Sequence, residues 1–190
     1  MYKYNLLFIF LFFLGNSCFG QQTDIFKLLP DGSFTSTTGN AYIVIQYEGQ
    51  EAAVLYGMVR NNIFKLFKEP GSVMKENPYQ SIKIHGYMDL GKKSVAMIPR
   101  SFGGYYNLLF QFKDGKIRID APIIDNSLIC TDGTISEGYT VYFEDFAKSM
   151  FKNGQPRPKS KEQIEKIEGI INSIIYYSIG IQNEKENDDW

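Results

Sequence analysis

The chain has few of the residues on which soluble catalysis and metal binding most often rest. It holds one histidine and two cysteines in 190 residues. A catalytic zinc site commonly takes three protein ligands, two or three of them histidines. His85 and Cys130 alone do not supply such a set. No G-x-S-x-G, H-E-x-x-H or G-K-[ST] phosphate loop occurs. Surplus positive charge is also missing, at 20 basic against 21 acidic residues. Neutralising phosphates is the main source of nucleic-acid affinity, so the composition argues against a nucleic-acid partner. It equally offers no general attraction to anionic membranes.

Long apolar runs are scarce too. The longest is Leu6–Leu14, nine residues, against roughly 20 needed to cross a bilayer. No stable transmembrane anchor is therefore expected. What this run does fit is an export signal. Lys3 precedes it, Gly15-Asn16 breaks it, and Cys18-Phe19-Gly20 places small residues at both pocket positions of a signal peptidase. Residues 1–20 are read as a cleaved signal peptide that leaves Gln21 first, with the product secreted or periplasmic. The alternative is a lipoprotein acylated at Cys18. Against it, the branched apolar residue of a lipobox belongs at position 15, which holds glycine, and Phe19-Gly20 is not a polar tether. Cleavage removes Lys3 and Cys18, leaving 19 basic against 21 acidic residues and one cysteine, Cys130. A single cysteine makes no internal disulfide, so the fold must rest on its hydrophobic core.

Residues 21–40 are polar, with a Ser/Thr cluster, and read as a loose leader or loose first strand. A single α+β domain is expected over 41–181, and a solvated, disordered acidic tail over 182–190. Within the domain, Ala41–Tyr47 reads as a strand. Gln50–Lys68 carries apolar residues at Ala52, Leu55, Tyr56, Val59, Ile63, Leu66 and Phe67, the spacing of an amphipathic helix, stopped by Pro70-Gly71. Ser81–Met88 alternates as a half-buried strand, with Lys83, His85 and Tyr87 on its polar side. A further short strand is allowed over Ser94–Ile98, ended by Pro99. Asp114-Gly115 marks a two-residue hairpin turn with φ > 0 at both positions. It pairs Lys113 with Lys116, Phe112 with Ile117, Phe110 with Ile119 and Leu108 with Ala121, and on the wetter face Gln111 with Arg118 and Leu109 with Asp120. Asp125–Gly138 looks like a loop apart from Leu128–Cys130. Tyr139–Lys152 is a short strand or helix, and Gly154–Lys159 a linker. The segment 127–159 has no evident role. Ser160 with Gln163 makes a capping box for a last helix over 160–179. That helix buries Ile164, Ile167, Ile171, Ile174 and Ile175 and pairs Glu162 with Lys166 on its surface.

The hairpin Tyr106–Ile119, YNLLFQFKDGKIRI, resembles that of a secreted bacterial domain family of unknown function with a TATA-box-binding-protein-like fold. Lys113, Asp114, Gly115 and Arg118 match the family's apolar-x-apolar-x-apolar-Lys-Asp-Gly-Arg-Tyr-Arg pattern, while Lys116 and Ile117 depart from it conservatively. The helix carrying Leu55, Tyr56 and Phe64 is similar to the family's first helix. The resemblance implies an antiparallel sheet with helices on one face, in the order strand, helix, strands, helix. It implies no activity and no functional residue, and a fold name is no warrant for DNA binding.

Each candidate for chemistry has a plainer competing reading. His85 fits an ordinary cross-strand surface position better than a ligand. Cys130, beside Leu128-Ile129, fits a buried thiol better than the nucleophile of a Cys130–His85 pair. Asp125, Asn126 and Thr131-Asp132-Gly133 offer oxygen ligands for calcium but lack EF-hand spacing, so they read as turn residues. Gly103-Gly104 reads as a turn before a strand. Tyr79, Tyr87, Tyr105, Tyr139 and Tyr142 are candidates for an exposed carbohydrate or protein contact surface, although tyrosine also simply favours sheet surfaces. No catalytic, cofactor-binding or metal-ligating residue is assigned. The expected function is non-catalytic binding of a small ligand or an envelope protein, with an apolar pocket between sheet and helices. The alternatives are a hydrolase or accessory enzyme using Asp120, Asp125 and Asp132, and a structural subunit of an envelope complex.

Overall fold

The hairpin around Asp114-Gly115 organises the molecule. The computed structural model describes residues 25–95, 98–131 and 139–181. The signal segment 1–20 and the tail 182–190 lie outside the described residues. Alternation drives β6 (Ile98–Lys113) and β7 (Lys116–Asp120) together, with Phe110 opposite Ile119, Phe112 opposite Ile117 and Gln111 opposite Arg118, as the pattern predicts. Phe110, Phe112, Ile117 and Ile119 are all buried. The turn itself differs from expectation. Only Gly115 takes a positive φ, +74°. Asp114 is held by a tertiary bond instead: its Oδ1 accepts the N–H of Ala52, 2.8 Å away. Gly115 also donates to the Gln50 carbonyl and accepts from the Tyr47 N–H, each at 2.7 Å. The turn therefore closes onto the corner between β3 (Tyr42–Gln46) and α1 (Ala52–Leu66).

The expected Leu108–Ala121 and Leu109–Asp120 pairs are not made. After Asp120 the ladder gains one residue at Ala121-Pro122, so β8 (Ile123–Ile124) pairs Ile123 with Asn107 and Ile124 with Tyr106. A proline has no N–H for a ladder, and the extra residue flips the pleat. Ile124 turns inward and is buried, while Ile123 turns outward.

A second hairpin is longer than its sequence suggests. Ser81–Met88 and Ser94–Ile98 are not two separate strands. β5 (Ser81–Val95) runs unbroken and pairs with β6 from Ser81–Gln111 to Val95–Ile98. One irregularity falls between Asp89 and Gly91, where Gly91 adopts φ +91° and Leu90 turns into the core. β4 (Met74–Asn77) flanks β5, and α2 (Pro70–Val73) precedes it. On the other side of β6, β9 (Ser127–Thr131) pairs with Ser101–Gly103, and β10 (Tyr139–Tyr142) pairs with β9. β3 pairs with β7. These eight antiparallel strands form one sheet.

Helices cover one face of this sheet, which establishes the α+β class with helices on one side. α1 and α4 (Lys161–Ser178) pack together and against the β5–β6 hairpin. α1 buries Leu55, Tyr56, Val59 and Ile63, while α4 buries Ile164, Ile167, Ile171 and Ile175. The unresolved choice over Tyr139–Lys152 has a double answer: β10 gives way to α3 (Phe143–Met150), whose Phe146 ring packs 4.9 Å from Phe102. The linker reading of 154–159 is also corrected. β11 (Phe151–Lys152) and β12 (Gln155–Pro156) form a hairpin whose turn residues, Asn153 and Gly154, both have positive φ, the geometry that Asn-Gly favours.

Two further corrections concern α4. Ser160 makes no side-chain cap. Gln163 turns instead to the Leu90 carbonyl at the β5 irregularity, 2.8 Å away. Lys166 reaches Asp89 at 3.4 Å rather than Glu162. Finally, part of the supposed loose leader is folded. β1 (Phe26–Leu28) and β2 (Phe34–Ser36) form a hairpin with Phe26, Leu28 and Phe34 buried. The free edge of β1 is held by α4 side chains one turn apart. Asn172 accepts from the Phe26 N–H and donates to the Phe26 carbonyl, each at 3.0 Å. Glu168 accepts from the Leu28 N–H at 2.8 Å and meets Lys27 at 3.2 Å. A helix thus supplies, through side chains, the hydrogen bonds that a neighbouring strand would give.

Candidate functional site

The pleat decides what reaches the face that carries no helix. On β5 and β6 the even-numbered residues from Ile82 to Leu90 and from Phe102 to Phe112 point into the core. Their odd-numbered neighbours therefore point outward. Lys83, His85 and Tyr87 stand on β5, as expected, opposite Leu109, Asn107 and Tyr105 on β6. Ile123, Ile129 and Tyr142 join them from β8, β9 and β10. Tyr87, Tyr105 and Ile129 are exposed, Tyr142 is 60% exposed and Ile123 66%. Of the five tyrosines singled out, Tyr87, Tyr105 and Tyr142 meet on this face. Tyr79 is exposed in the β4–β5 turn, where it packs edge-on against Tyr56. Tyr139 belongs to β10, and its side chain lies outside the described residues.

Two glycines seat the tyrosines. A Cβ on Gly103 would lie 1.7 Å from the Tyr87 hydroxyl oxygen. Gly103 is thus a bed for an outward tyrosine in the middle of β6, and Gly103-Gly104 is not a turn. On the inner face a Cβ on Gly86 would lie 2.4 Å from the Tyr106 hydroxyl oxygen. Tyr106 is buried, and that burial pushes its pKa up to about 12.

His85 is built into this face in a defined way. Its ring stacks on Tyr105, centroids 5.1 Å apart and planes 9° from parallel, and Tyr87 meets Tyr105 edge-on at 5.3 Å. Asn107 donates from Nδ2 to Asp125 Oδ1 at 2.8 Å, and its Oδ1 faces His85 Nδ1 at 3.2 Å. A carboxylate only accepts, so the Asn107 NH2 group must face Asp125 and its oxygen must face His85. That oxygen only accepts, so His85 carries its proton on Nδ1. Nε2 of the neutral ring is then the lone-pair nitrogen, free in its chemistry to accept a hydrogen bond from a ligand. His85 and Cys130 do not meet: Cys130 is buried on the core side of β9, opposite to the face that His85 occupies.

The candidate carboxylates are held separately. Asp120 is tied to Arg118 at 2.7 Å and Gln111 at 3.2 Å, and Asp125 to Asn107. Asp132 lies outside the described residues, as does Gly133. Among the described residues no group of three or more His, Cys, Asp or Glu side chains is arranged to hold a metal. The Asn126 carbonyl accepts the Phe143 N–H at the start of α3, and Thr131 ends β9.

Where an apolar pocket is expected between sheet and helices, the described residues pack a core, with Ile82, Ile84, Leu108, Val59, Ile63 and Ile171 all buried. One hollow lies beside the β11–β12 hairpin, lined by Lys152 and Arg157. Another lies on the outer face, among Tyr42, Val44, Gln111, Lys113, Lys116 and Arg118. There the Arg118 guanidinium sits 4.1 Å from the centroid of the Tyr42 ring. No helix of the described residues is long and apolar enough to cross a membrane.

No family model and no curated protein matches the chain. Two solved structures are similar to it in fold. One is a TBP-like protein from Parabacteroides distasonis ATCC 8503, at 11% identity and a TM-score of 0.48, covering 72% of this chain and 90% of that one. The other is a DUF4468 family protein from Bacteroides ovatus ATCC 8483, at 10% identity and a TM-score of 0.49, covering 76% of this chain and 87% of that one.

Proposed function

We propose that this chain is an exported, non-catalytic domain that binds an envelope protein through the helix-free face of its sheet. One observation carries the reading: Tyr87, Tyr105, Ile123, Ile129 and Tyr142 stand exposed together on that face. Single exposed apolar residues are ordinary, whereas a contiguous apolar group marks a contact surface. Tyrosine in particular is enriched at protein interfaces. The export half of the reading rests on the charge, apolar run and cleavage pattern of residues 1–20. The hydrolase alternative loses support from Asp120 and Asp125, each committed to its own partners.

A photoreactive residue placed at Ile123, on the outer face, is compared in cells with one at Val54, exposed on α1. The reading expects a discrete adduct from position 123 that position 54 does not give. Identical adducts from both positions, or none from 123, would refute it. A structural subunit would use the same patch, but its adduct would account for nearly all of the chain and not a fraction that varies with partner level. Export is tested by the intact mass of the product. A chain starting at Gln21 supports cleavage, an acylated Cys18 replaces it with the lipoprotein reading, and an uncut Met1 overturns export.

A further inference from the structure

The hairpin end of the outer face differs in character from its aromatic middle. Its outward strand positions hold five cations, Lys75, Lys83, Lys113, Lys116 and Arg118, and one carboxylate, Asp120. Asp120 is already engaged by Arg118 and Gln111. Lys75 lies directly opposite Lys83, and Lys113 directly opposite Lys116. Like charges directly opposite on neighbouring strands destabilise a sheet. Two such pairs on one face of a chain with balanced charge mean that cations are gathered where the fold gains nothing from them.

We propose that this basic end is a docking site for an acidic polypeptide segment, an inference that rests on the outer face being the binding surface. Charge complementarity sets the sign of the partner, and the geometry favours a polypeptide. Lys83 lies level with Leu109, four residues along β6 from Lys113. At roughly 3.3 Å per residue and about 4.8 Å per strand, the two lysine pairs are about 13 Å apart along the strands and about 10 Å across them, a diagonal of about 16 Å that long acidic side chains i and i+4 on one side of an extended peptide can reach. Exposed Val44 and half-buried Leu109 lie among the cations, and the methylenes of acidic side chains would cover them. A sugar ring would instead seek a flat aromatic face, and that of Tyr42 is occupied by Arg118.

The probe is poly-L-glutamate, titrated into the isotope-labelled full mature chain and followed by amide shifts. The expected result is shifts centred on Lys83, Gln111, Lys113, Lys116 and Arg118, with affinity that falls as salt rises. The triple variant K83E/K113E/K116E should bind on the order of ten-fold more weakly, as complementary interface charges steer and hold a partner. Reversal of three exposed lysines elsewhere, K152E/K159E/K161E, should change affinity less than about two-fold. All six sites are exposed, and unchanged shifts away from each substitution confirm that the variants fold. Equal weakening by both triples, or shifts centred elsewhere, overturns the site. Tighter binding of heparin than of poly-L-glutamate at the same residues overturns the polypeptide. If poly-L-glutamate fails while position 123 still gives its specific adduct, only this inference falls.

Discussion

Gly86 and Gly103 allow the same atom to be added to opposite faces of one hairpin. At Gly86 the new Cβ would lie 2.4 Å from the oxygen and 2.5 Å from Cζ of Tyr106. Tyr106 is locked in the core at 1% exposure, so neither ring nor strand can yield cheaply. Overpacking of this kind costs about 1–3 kcal/mol. At roughly 2–4 °C per kcal/mol for a chain of this size, Gly86→Ala should lower Tm by about 2–12 °C. Adding Tyr106→Phe should not rescue it, because Cζ remains in the way. At Gly103 the overlap is closer on paper, 1.7 Å to the oxygen of Tyr87. Yet Tyr87 is 54% exposed and can swing into solvent. Alanine in a strand also gains about 0.5–1 kcal/mol over glycine, so Gly103→Ala should leave stability within about 1 kcal/mol of the parent. It should nevertheless break the Tyr87–Tyr105 contact and reduce crosslinking from the outer face. Urea unfolding of both variants, with the Ile123 adduct scored in parallel, separates the effects. Equal losses of stability, or a larger loss at Gly103, would show that the two tyrosine beds are not what distinguishes the faces.

Three further outcomes follow from individual contacts. Asn172→Ala would strand the Phe26 N–H and carbonyl in the core, and at about 1–3 kcal/mol per unsatisfied group it should cost roughly 2–6 kcal/mol. Amide exchange at Phe26 should rise with it, while Glu168→Gln, which keeps an acceptor for Leu28, should cost far less; unchanged exchange in Asn172→Ala would contradict the clamp. The Asp89 carboxyl is held below its ordinary pKa first by the Gly91 N–H and then by Lys166, so it supports the fold above the ordinary carboxylate range and loses that support as pH falls through its lowered value. Its NMR titration should therefore have a midpoint below that range and remain partly lowered in Lys166→Ala, whereas an ordinary midpoint in the parent would contradict the hydrogen bond at the β5 irregularity. Nitrogen shifts of His85 at neutral pH should report the proton on Nδ1, and Asn107→Leu should release that preference; a proton on Nε2 in the parent would break the Asp125–Asn107–His85 assignment.

Local pattern was enough for the elements whose reasons are local. The stripe from Leu55 to Ile63, the isoleucines of α4 and the pairing of Phe110 and Phe112 with Ile119 and Ile117 all follow from periodicity. The misses share a cause, which is bonding across the chain. Gln163 looks like a cap partner for Ser160 until the Leu90 carbonyl is 2.8 Å away. Residues 26–36 look loose because the groups that satisfy β1 are Asn172 and Glu168, more than a hundred residues later. Gly91-Lys92-Lys93 looks like a break in β5, although a glycine with φ +91° lets the ladder continue past an irregularity. Asn153-Gly154 is a different kind of miss, since its turn chemistry is local and was hidden by the prolines that follow.

The candidate surface was legible as parts and not as a whole. Alternation alone places His85 and Tyr87 on the polar side of β5. What it cannot place is Ile123, because its outward position depends on the extra residue at Ala121-Pro122. Were Ala121 and Pro122 both to stay in the ladder, Ile123 would come opposite Tyr106 and face the core, with Ile124 facing the solvent. The same step in the ladder follows Asp120 and precedes Asp125, so it divides the basic end of the face from its aromatic middle. One proline-linked irregularity thus sets both the apolar content of the surface and the boundary between its two halves. Deleting Ala121 would test this: it removes the extra residue yet keeps Ile123 opposite Asn107 and Ile124 opposite Tyr106, so the outer-face adduct and poly-L-glutamate binding at Lys113 and Lys116 should both persist, and loss of the adduct would refute the register argument.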